Sequence, residues 1–209
     1  MNDIPRPVSR PSFREQQFVV REAAIIDATC NLLARKGYDL MTMDEVAAEV
    51  GLAKASLYKH FDSKEALAAA AMIRLIEQTT AALETLPPEQ PPMEKLRGIL
   101  RWALTQRMRG GLPLLPSGNT TLRDSLLHNM TYIGKVMQIN QRMTDLITRA
   151  KQSGDLQQNL PDEVILYTIY ARSCDPTVDY LRMFGKLSDE QIINHTIDIC
   201  FSGITPASK

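Results

Sequence analysis

The chain is poor in cysteine and glycine, and each shortage argues against particular classes of protein. Its three cysteines, Cys30, Cys174 and Cys200, are far apart and never form a Cys-x-x-Cys pair, so neither a disulfide framework nor a zinc knuckle is indicated. Glycine makes up only 10 of 209 residues, which favours an all-α protein over an α/β one. We expect the cysteines to be small buried apolar residues.

Long hydrophobic runs are also missing. No uninterrupted apolar run approaches the ~20 residues that a membrane-spanning helix needs. The residues from Met1 to Arg14 are polar and proline-rich rather than the apolar core of a signal peptide. A cytoplasmic protein with no membrane partner is therefore expected.

Excess charge of either sign is absent, because 24 lysines and arginines balance 24 aspartates and glutamates. Binding to nucleic acid through overall charge is excluded, so any such binding must come from a local concentration of positive potential. Apolar residues make up 44% of the chain, which is enough for an ordinary globular core and excludes a disordered protein.

Helical periodicity dominates what is present. Apolar residues recur at intervals of three and four, and no alternating strand pattern of useful length occurs. Capping boxes begin at Thr42, Asp62 and Ser188, and a run of prolines from Pro87 to Pro92 separates two helices. The sequence thus predicts an all-α fold of about nine helices. Three stripes carry this prediction: Met72, Leu75, Ile76, Thr79 and Leu83; Leu96, Ile99, Leu100, Ala103 and Leu104; and Ile193, Ile197, Cys200, Phe201 and Ile204.

The sequence contains no arrangement of residues that indicates catalysis. His128 and His195 have no nearby nucleophile and no carboxylate at helical spacing, and no glycine-rich phosphate loop occurs. An enzyme is therefore not expected, and neither is a cofactor or a metal site.

Residues 42 to 64 have the spacing of two short helices joined by a tight turn. Val46, Ala47 and Val50 form one face of the first helix, and Gly51 permits the positive backbone angle that the turn demands. Leu52 closes the corner, and the second helix follows with its own apolar positions. This pattern indicates a helix-turn-helix, whose second helix lies in the major groove of DNA. The apolar positions of that second helix are Leu57 and Phe61.

Positive charge is concentrated on this second helix. From Leu52 to Phe61 the only charged residues are Lys54 and Lys59, with His60 beside them, whereas the preceding helix is acidic. Phosphate contacts alone would be weak and sensitive to salt, so base contacts and dimer geometry must supply the specificity.

These residues resemble the signature of TetR-family transcriptional repressors. The match is specific over residues ~18 to 68 and includes the helix from Arg21 to Tyr38. The resemblance implies a helix-turn-helix domain over residues 15–65 and a helical ligand-binding and dimerisation domain over residues 66–209. The matching positions are Ile25, Ile26, Leu32, Leu33, Gly37, Tyr38, Thr42, Val46, Ala47, Val50, Gly51, Leu52, Leu57, Tyr58, His60, Phe61, Ser63, Lys64 and Leu67.

The family pattern also implies which residues face DNA. Lys54 and Lys59 would donate to guanine or phosphate, and Ala55 would make an apolar contact. For Tyr58, packing against the first helix is an equal alternative. The DNA-facing set carried over is Thr42, Lys54, Ala55, Ser56, Tyr58, Lys59, His60 and Lys64.

Two features at the edges of this domain stand apart. Ala53 occupies a position where the family usually has Ser or Thr, and alanine has no side-chain oxygen to cap the helix, a loss of ~1 kcal/mol. The arginines Arg6, Arg10 and Arg14 form either an arm for the minor groove or a disordered tail.

The central part of the chain is rich in large, soft side chains. The chain has ten methionines, whose unbranched thioethers suit an adaptable cavity, although such residues also fill ordinary cores. The family resemblance implies a ligand cavity among them. Its predicted lining is Trp102, Met108, Leu112, Leu115, Leu126, Met130, Ile133, Met137, Tyr167 and Tyr170.

The segments Asp162 to Lys186 and Asp189 to Gly203 carry more apolar residues than one core-facing stripe needs. We expect a second copy of the chain to cover the surplus, unless both helices are buried in the core of the monomer. Pro176 must kink or split the first segment. The predicted dimer interface is Leu166, Tyr170, Ile193, Ile197 and Phe201.

Two functions remain open from the sequence. One is a repressor that binds a pseudo-palindromic DNA operator as a homodimer and is released by a small apolar or aromatic effector. The other is a DNA-bound adaptor of the same fold that answers to a protein partner. A cavity of ~300 Å³ or more would favour the first, and a filled core the second.

Overall fold

The computed structural model describes residues 12–112 and 120–205. Within these ranges the chain forms ten helices and no strand, which confirms the all-α prediction. The third helix is a single turn. The helices are α1 (Phe13–Leu40), α2 (Met43–Glu49), α3 (Lys54–Leu57), α4 (Lys64–Thr85), α5 (Pro92–Met108), α6 (Thr120–His128), α7 (Met130–Gln152), α8 (Asp162–Ser173), α9 (Thr177–Phe184) and α10 (Asp189–Ser202).

Helix boundaries follow local chemistry. At Gly37, near the end of α1, the backbone adopts a φ of 74°, which costs glycine little. Thr42 and Ser188 form the predicted capping boxes of α2 and α10. At Pro176 the chain is split into α8 and α9 rather than kinked, because proline has no N–H to donate to the preceding turn.

The fold has two hydrophobic cores. The first joins α1, α2, α3, the first half of α4 and the buried Leu122 and Leu126 of α6. The second joins α5, α7, α8 and α10, and the second half of α4 packs against it through Ile76, Ala82 and Leu83. Helix α4 therefore passes from one core into the other.

Helix α4 is also the one described helix with the length and apolar composition of a membrane span, at a mean hydropathy of 1.2. The two cores account for much of that apolar character. Leu67, Ala68, Ala69, Ala71 and Met72 are no more than 1% exposed within the first core.

Candidate nucleic-acid interface and cavity

The helix-turn-helix is built from short-range contacts. Thr42 Oγ1 accepts the N–H of Glu45 at 3.3 Å, and the Glu45 carboxylate accepts the N–H of Thr42 at 3.1 Å, so α2 begins at a defined residue. Gly51 then adopts a φ of 67°, which turns the chain into α3. Leu57 is fully buried and fixes α3 on the first core. Ala53 precedes α3 without a side-chain cap, in agreement with the sequence prediction.

Four of the predicted DNA-facing residues are exposed on and just after α3. Lys54, Ala55, Tyr58 and Lys59 point to solvent, whereas Ser56 is half-buried. Tyr58 is 43% exposed, so its ring is not enclosed against α1. These side chains are accessible to a partner, and their contact with DNA stays a prediction.

Lys54 is held by an acidic neighbour on α2. Its Nζ donates to Asp44 Oδ2 at 2.9 Å, and this hydrogen bond raises the pKa of Lys54 above its usual value. The acidic first turn of α2 therefore offsets part of the positive potential of α3. Within α3 and the turn after it, Lys59 is the other lysine available to a phosphate.

The structure corrects the prediction for His60. Its side chain is only 4% exposed, and its ring stacks on Phe18 of α1 with centroids 4.1 Å apart. Nδ1 lies 3.7 Å from Glu22 Oε2 and has no hydrogen bond. Because α3 ends at Leu57 and continues as a turn, His60 faces α1 instead of extending the exposed surface. Its side chain packs between α1 and the turn that follows α3.

Thr42 and Lys64 lie at the starts of α2 and α4. The Thr42 hydroxyl is engaged in the cap of α2, where it accepts the N–H of Glu45 and donates to the Glu45 carboxylate. Lys64 Nζ lies 4.3 Å above the Tyr38 ring and donates to the carbonyl of Asp39 at 3.3 Å. The Tyr38 hydroxyl donates to Glu65 Oε1 at 2.7 Å, so these groups form one connected cluster.

A cavity of about 260 Å³ lies between α4, α5, α7 and α8. It is lined mostly by apolar and aromatic side chains. Its described lining is Met72, Leu75, Ile76, Thr79, Ile99, Leu100, Trp102, Ala103, Leu112, Tyr132, Val136, Ile139, Asn140, Met143, Tyr167, Ile169, Tyr170, Ser173 and Cys174.

The structure brings Trp102, Leu112, Tyr167 and Tyr170 together in this cavity, as the lining prediction required. Other predicted residues lie elsewhere. Met108 packs against the second core, Leu126 is buried in the first, and Ile133 is half-buried outside the cavity. Leu115 lies outside the described residues, as do Arg6 and Arg10 of the proposed arm.

Met130 and Met137 correct the lining prediction most clearly. They are 79% and 67% exposed. The two residues are seven apart on α7 and so share a face, and the buried face carries Ile139 and Met143 instead. The number of methionines indicated an adaptable cavity lining, but it could not show which face of α7 each methionine occupies.

Sequence reasoning missed the contribution of α4. Leu75, Ile76 and Thr79 line the cavity, although their stripe was assigned only to a helix face. The polar Thr79 within that apolar stripe was the available signal. Asn140 was missed in the same way, as a polar residue one position from the buried Ile139.

Three hydroxyl groups of the cavity donate hydrogen bonds. The Tyr170 hydroxyl donates to Asn140 Oδ1 at 3.0 Å, and burial raises the pKa of Tyr170, which keeps the phenol protonated. The Thr79 hydroxyl donates to the carbonyl of Leu75 at 2.8 Å. The Ser173 hydroxyl donates to the carbonyl of Tyr170 at 2.7 Å.

The residues predicted to form the dimer interface are wrong. Leu166, Ile193, Ile197 and Phe201 are no more than 7% exposed because α10 packs on α5 and α8 of the same chain. Tyr170 faces the cavity. The exposed apolar residues of this region are different ones: Val164, Tyr167, Tyr180, Met183, Phe184, Leu187 and Ile199.

Among the described residues, no group of three or more His, Cys, Asp or Glu side chains is arranged to hold a metal ion. The candidate sites are therefore the exposed surface of α3 and the cavity beside α4.

Comparisons with known proteins concern the first candidate site, the exposed surface of α3. Residues 25–71 match the family model of bacterial regulatory proteins, tetR family. The chain is 51% identical over 43 residues to the biofilm operon icaADBC HTH-type negative transcriptional regulator IcaR of Staphylococcus aureus, a match that covers 21% of this chain and 23% of IcaR. It is 31% identical over 130 residues to the HTH-type transcriptional repressor KstR of Rhodococcus jostii, covering 62% of this chain and 59% of KstR. These matches span about a quarter and three fifths of the two relatives.

The fold as a whole resembles solved structures. The crystal structure of AibR in complex with isovaleryl coenzyme A and operator DNA has a TM-score of 0.61 and 23% identity, and the match covers 87% of this chain and 98% of AibR. At this identity the likeness extends to the fold, including the helices that surround the cavity.

Proposed function

The chain belongs to the tetR family of bacterial regulatory proteins, and we propose on this premise that it is a transcriptional repressor rather than an enzyme. The proposed repressor acts in the cytoplasm, binds a pseudo-palindromic DNA operator as a homodimer and is released by a small molecule that fills the cavity. The KstR and IcaR relatives, a repressor and a negative regulator, support this proposal.

One observation carries the proposal: α4 belongs to both candidate sites. Its residues Leu67 to Met72 pack in the core of the helix-turn-helix, and Met72 to Thr79 line the cavity. A ligand that moves the middle of α4 changes the position of the helix-turn-helix, provided that it binds the two arrangements with different affinity. AibR, which has a similar fold, is solved in complex with isovaleryl coenzyme A and operator DNA, so this fold can bind both a small molecule and DNA.

The exposed apolar residues of α8, α9 and α10 support a dimer. Tyr180, Met183 and Phe184 are 62%, 71% and 77% exposed on α9, and Ile199 is 65% exposed on α10, which packs beside it. An apolar patch of this kind marks an interaction surface. A second copy of the chain is the occupant we propose, since a palindromic operator requires a two-fold symmetric reader.

The adaptor function is less well supported because the interior is not filled. The cavity of about 260 Å³ is smaller than the ~300 Å³ expected of a ligand site, but it leaves the core between these helices unfilled. A protein partner that controls the DNA-bound state would not require such a space.

The test is selection of a DNA sequence from a random duplex library, followed by gel-shift titration. Lys59→Ala and Tyr58→Ala are expected to weaken binding to the selected sequence at least tenfold without changing helix content. Arg149→Ala is the control, since it removes an exposed positive charge from α7, outside α3 and the proposed dimer face. Failure to select any sequence, or unchanged affinity of both α3 variants, would contradict the proposal.

A screen of apolar and aromatic compounds tests the effector. A compound that binds the folded protein raises its melting temperature by mass action. If such compounds raise the melting temperature and release the selected DNA, the repressor is ligand-responsive. If none does either, the adaptor becomes the better assignment.

A further inference from the structure

The cavity has no charge to offer a ligand. None of its described lining residues carries a carboxylate, an amine, a guanidinium or an imidazole. The next residues after Leu112, at positions 113–119, read Pro-Leu-Leu-Pro-Ser-Gly-Asn and contain no ionisable side chain either. A ligand carboxylate or phosphate held against these side chains would lose part of its hydration without gaining a counter-charge, which is unfavourable.

The buried cation Arg107 forms an ion pair outside the cavity. Arg107 lies one helical turn beyond Ala103 of the lining, but its Nη2 donates to Asp179 Oδ2 on α9 at 2.6 Å. Its side chain is 6% exposed and its Nε has no hydrogen-bond partner, but Arg107 is not among the described residues that line the cavity.

The cavity does present neutral hydrogen-bond donors, which include the indole N–H of Trp102 and the hydroxyls of Tyr132 and Tyr167, and Asn140 is the one that a hydrogen bond orients. Asn140 Oδ1 accepts the hydrogen of the Tyr170 hydroxyl at 3.0 Å, which orients the amide. Its Nδ2 has no hydrogen-bond partner among the described residues. The hydroxyls of Thr79 and Ser173 already donate to backbone carbonyls of their own helices. Asn140 therefore provides an oriented donor with unused capacity at the wall of an apolar space.

We propose that the cavity binds an uncharged, largely apolar molecule with a carbonyl or hydroxyl oxygen, and that the Asn140 amide donates a hydrogen bond to that oxygen. This inference rests on the proposed function, in which the cavity is the effector site. It excludes free carboxylates and phosphate-bearing coenzyme esters. The volume of about 260 Å³ also favours a compact molecule, since it lies below the ~300–1,000 Å³ typical of ligand sites.

Intrinsic tryptophan fluorescence can report ligand binding at this site. Trp102 is the single tryptophan of the chain and lines the cavity, so its fluorescence reports occupancy directly. Four compounds with one carbon skeleton serve as ligands: 4-phenyl-2-butanone, 4-phenyl-2-butanol, butylbenzene and 4-phenylbutanoate. Each is titrated against the intact protein at pH 7 without DNA.

The ketone and the alcohol are expected to bind at least tenfold more tightly than the carboxylate, which would be buried without a counter-charge. They are expected to bind about fivefold more tightly than butylbenzene, which leaves the amide donor unpaired. Tighter or equal binding of the carboxylate overturns the proposal, and so does the absence of any fluorescence response to the ketone and alcohol.

Two variants identify the donor. Asn140→Leu should remove the preference for the ketone over butylbenzene, and Asn140→Asp, which replaces the donor with a carboxylate of the same shape, should lower ketone affinity at least tenfold. Gln138→Leu is the matched control, because Gln138 is exposed on the same helix, and it should keep the wild-type preference. A preference unchanged in both Asn140 variants overturns the assignment of the donor.

Operator binding, measured separately by gel shift, distinguishes the two proposals. If the protein selects no DNA but shows the ketone preference, the repressor function fails and the ligand class stands. If it binds DNA and prefers the carboxylate, the ligand class fails and the repressor function stands.

Discussion

The ion pair between Lys54 and Asp44 makes a quantitative prediction about DNA binding. In the free protein Lys54 Nζ donates to Asp44 Oδ2 at 2.9 Å, and both side chains are more than half exposed. A phosphate therefore competes with Asp44 for the same ammonium. Asp44→Asn removes the competing charge and frees Lys54 for one additional phosphate contact.

The size of the effect follows from counterion release. Each phosphate contact changes the slope of log K against log salt concentration by about −0.9 on B-form DNA. The Asp44→Asn slope should therefore be steeper than wild type by about 0.9. Between 50 and 200 mM salt, a fourfold change, the affinity of the variant relative to wild type should fall by a factor of about 3.5.

The assay is fluorescence-anisotropy titration of a selected operator duplex at five salt concentrations. Asp198→Asn is the control, because it removes the same charge from an ion pair with Arg97, between α10 and α5. Its slope should equal that of wild type. Equal slopes for Asp44→Asn and wild type would refute the reasoning, since they would mean that Lys54 gains no phosphate when its partner is neutralised.

Three further predictions concern assembly and stability. Met183→Asp combined with Phe184→Asp should give a folded monomer in sedimentation, because both residues are more than 70% exposed on the proposed dimer face. Met72→Ala should lower the free energy of unfolding by about 2–5 kcal/mol, measured by denaturant titration, since the side chain is buried in the first core and borders the cavity. The Lys151 ammonium holds the pKa of Asp162 below its ordinary 3.8, so this carboxylate stabilises the fold above that pH and loses its contribution as the pH falls through the lowered pKa. Asp162→Asn should lower the free energy of unfolding at pH 7, and the difference from wild type should shrink below pH 3.8.

Each of these three predictions has a matched control substitution at exposed residues. Val19→Asp with Val20→Asp, on α1, should leave the sedimentation unchanged. Met137→Ala should change the free energy of unfolding by less than about 0.5 kcal/mol. Asp145→Asn, on α7, should lack the effect of Asp162→Asn. A dimer that persists in the charged α9 variant, or matched controls that behave like the test variants, would contradict the respective prediction.

The helix-turn-helix was predictable because its signals are local. Thr42 caps α2 and Gly51 turns the chain within a few residues of sequence, and each needs no knowledge of the rest of the fold. His60 was not predictable in the same way. Whether it faces DNA or α1 depends on where the single-turn α3 ends and on Phe18, which is 42 positions earlier.

The cavity and the dimer face were harder to predict because they depend on long-range packing. An apolar stripe such as Ile193 and Ile197 identifies a buried face of a helix, but the stripe is the same whether its own chain or a second copy covers it. Here α5 and α8 cover it. The exposed Met183 and Phe184 could be recognised only once the buried face was known.

The passage of α4 between two cores also bears on how such a protein can diverge. The first core contains buried residues from Ile25 to Met72 together with Leu122 and Leu126 of α6, and the family match covers residues 25–71. The match to the family model thus ends near the point where the packing changes. Because effects of substitutions that share no contacts are nearly additive, mutations in the second core can accumulate without disturbing the first. A lineage can therefore change the residues of the second core and its cavity while it keeps the architecture of the helix-turn-helix.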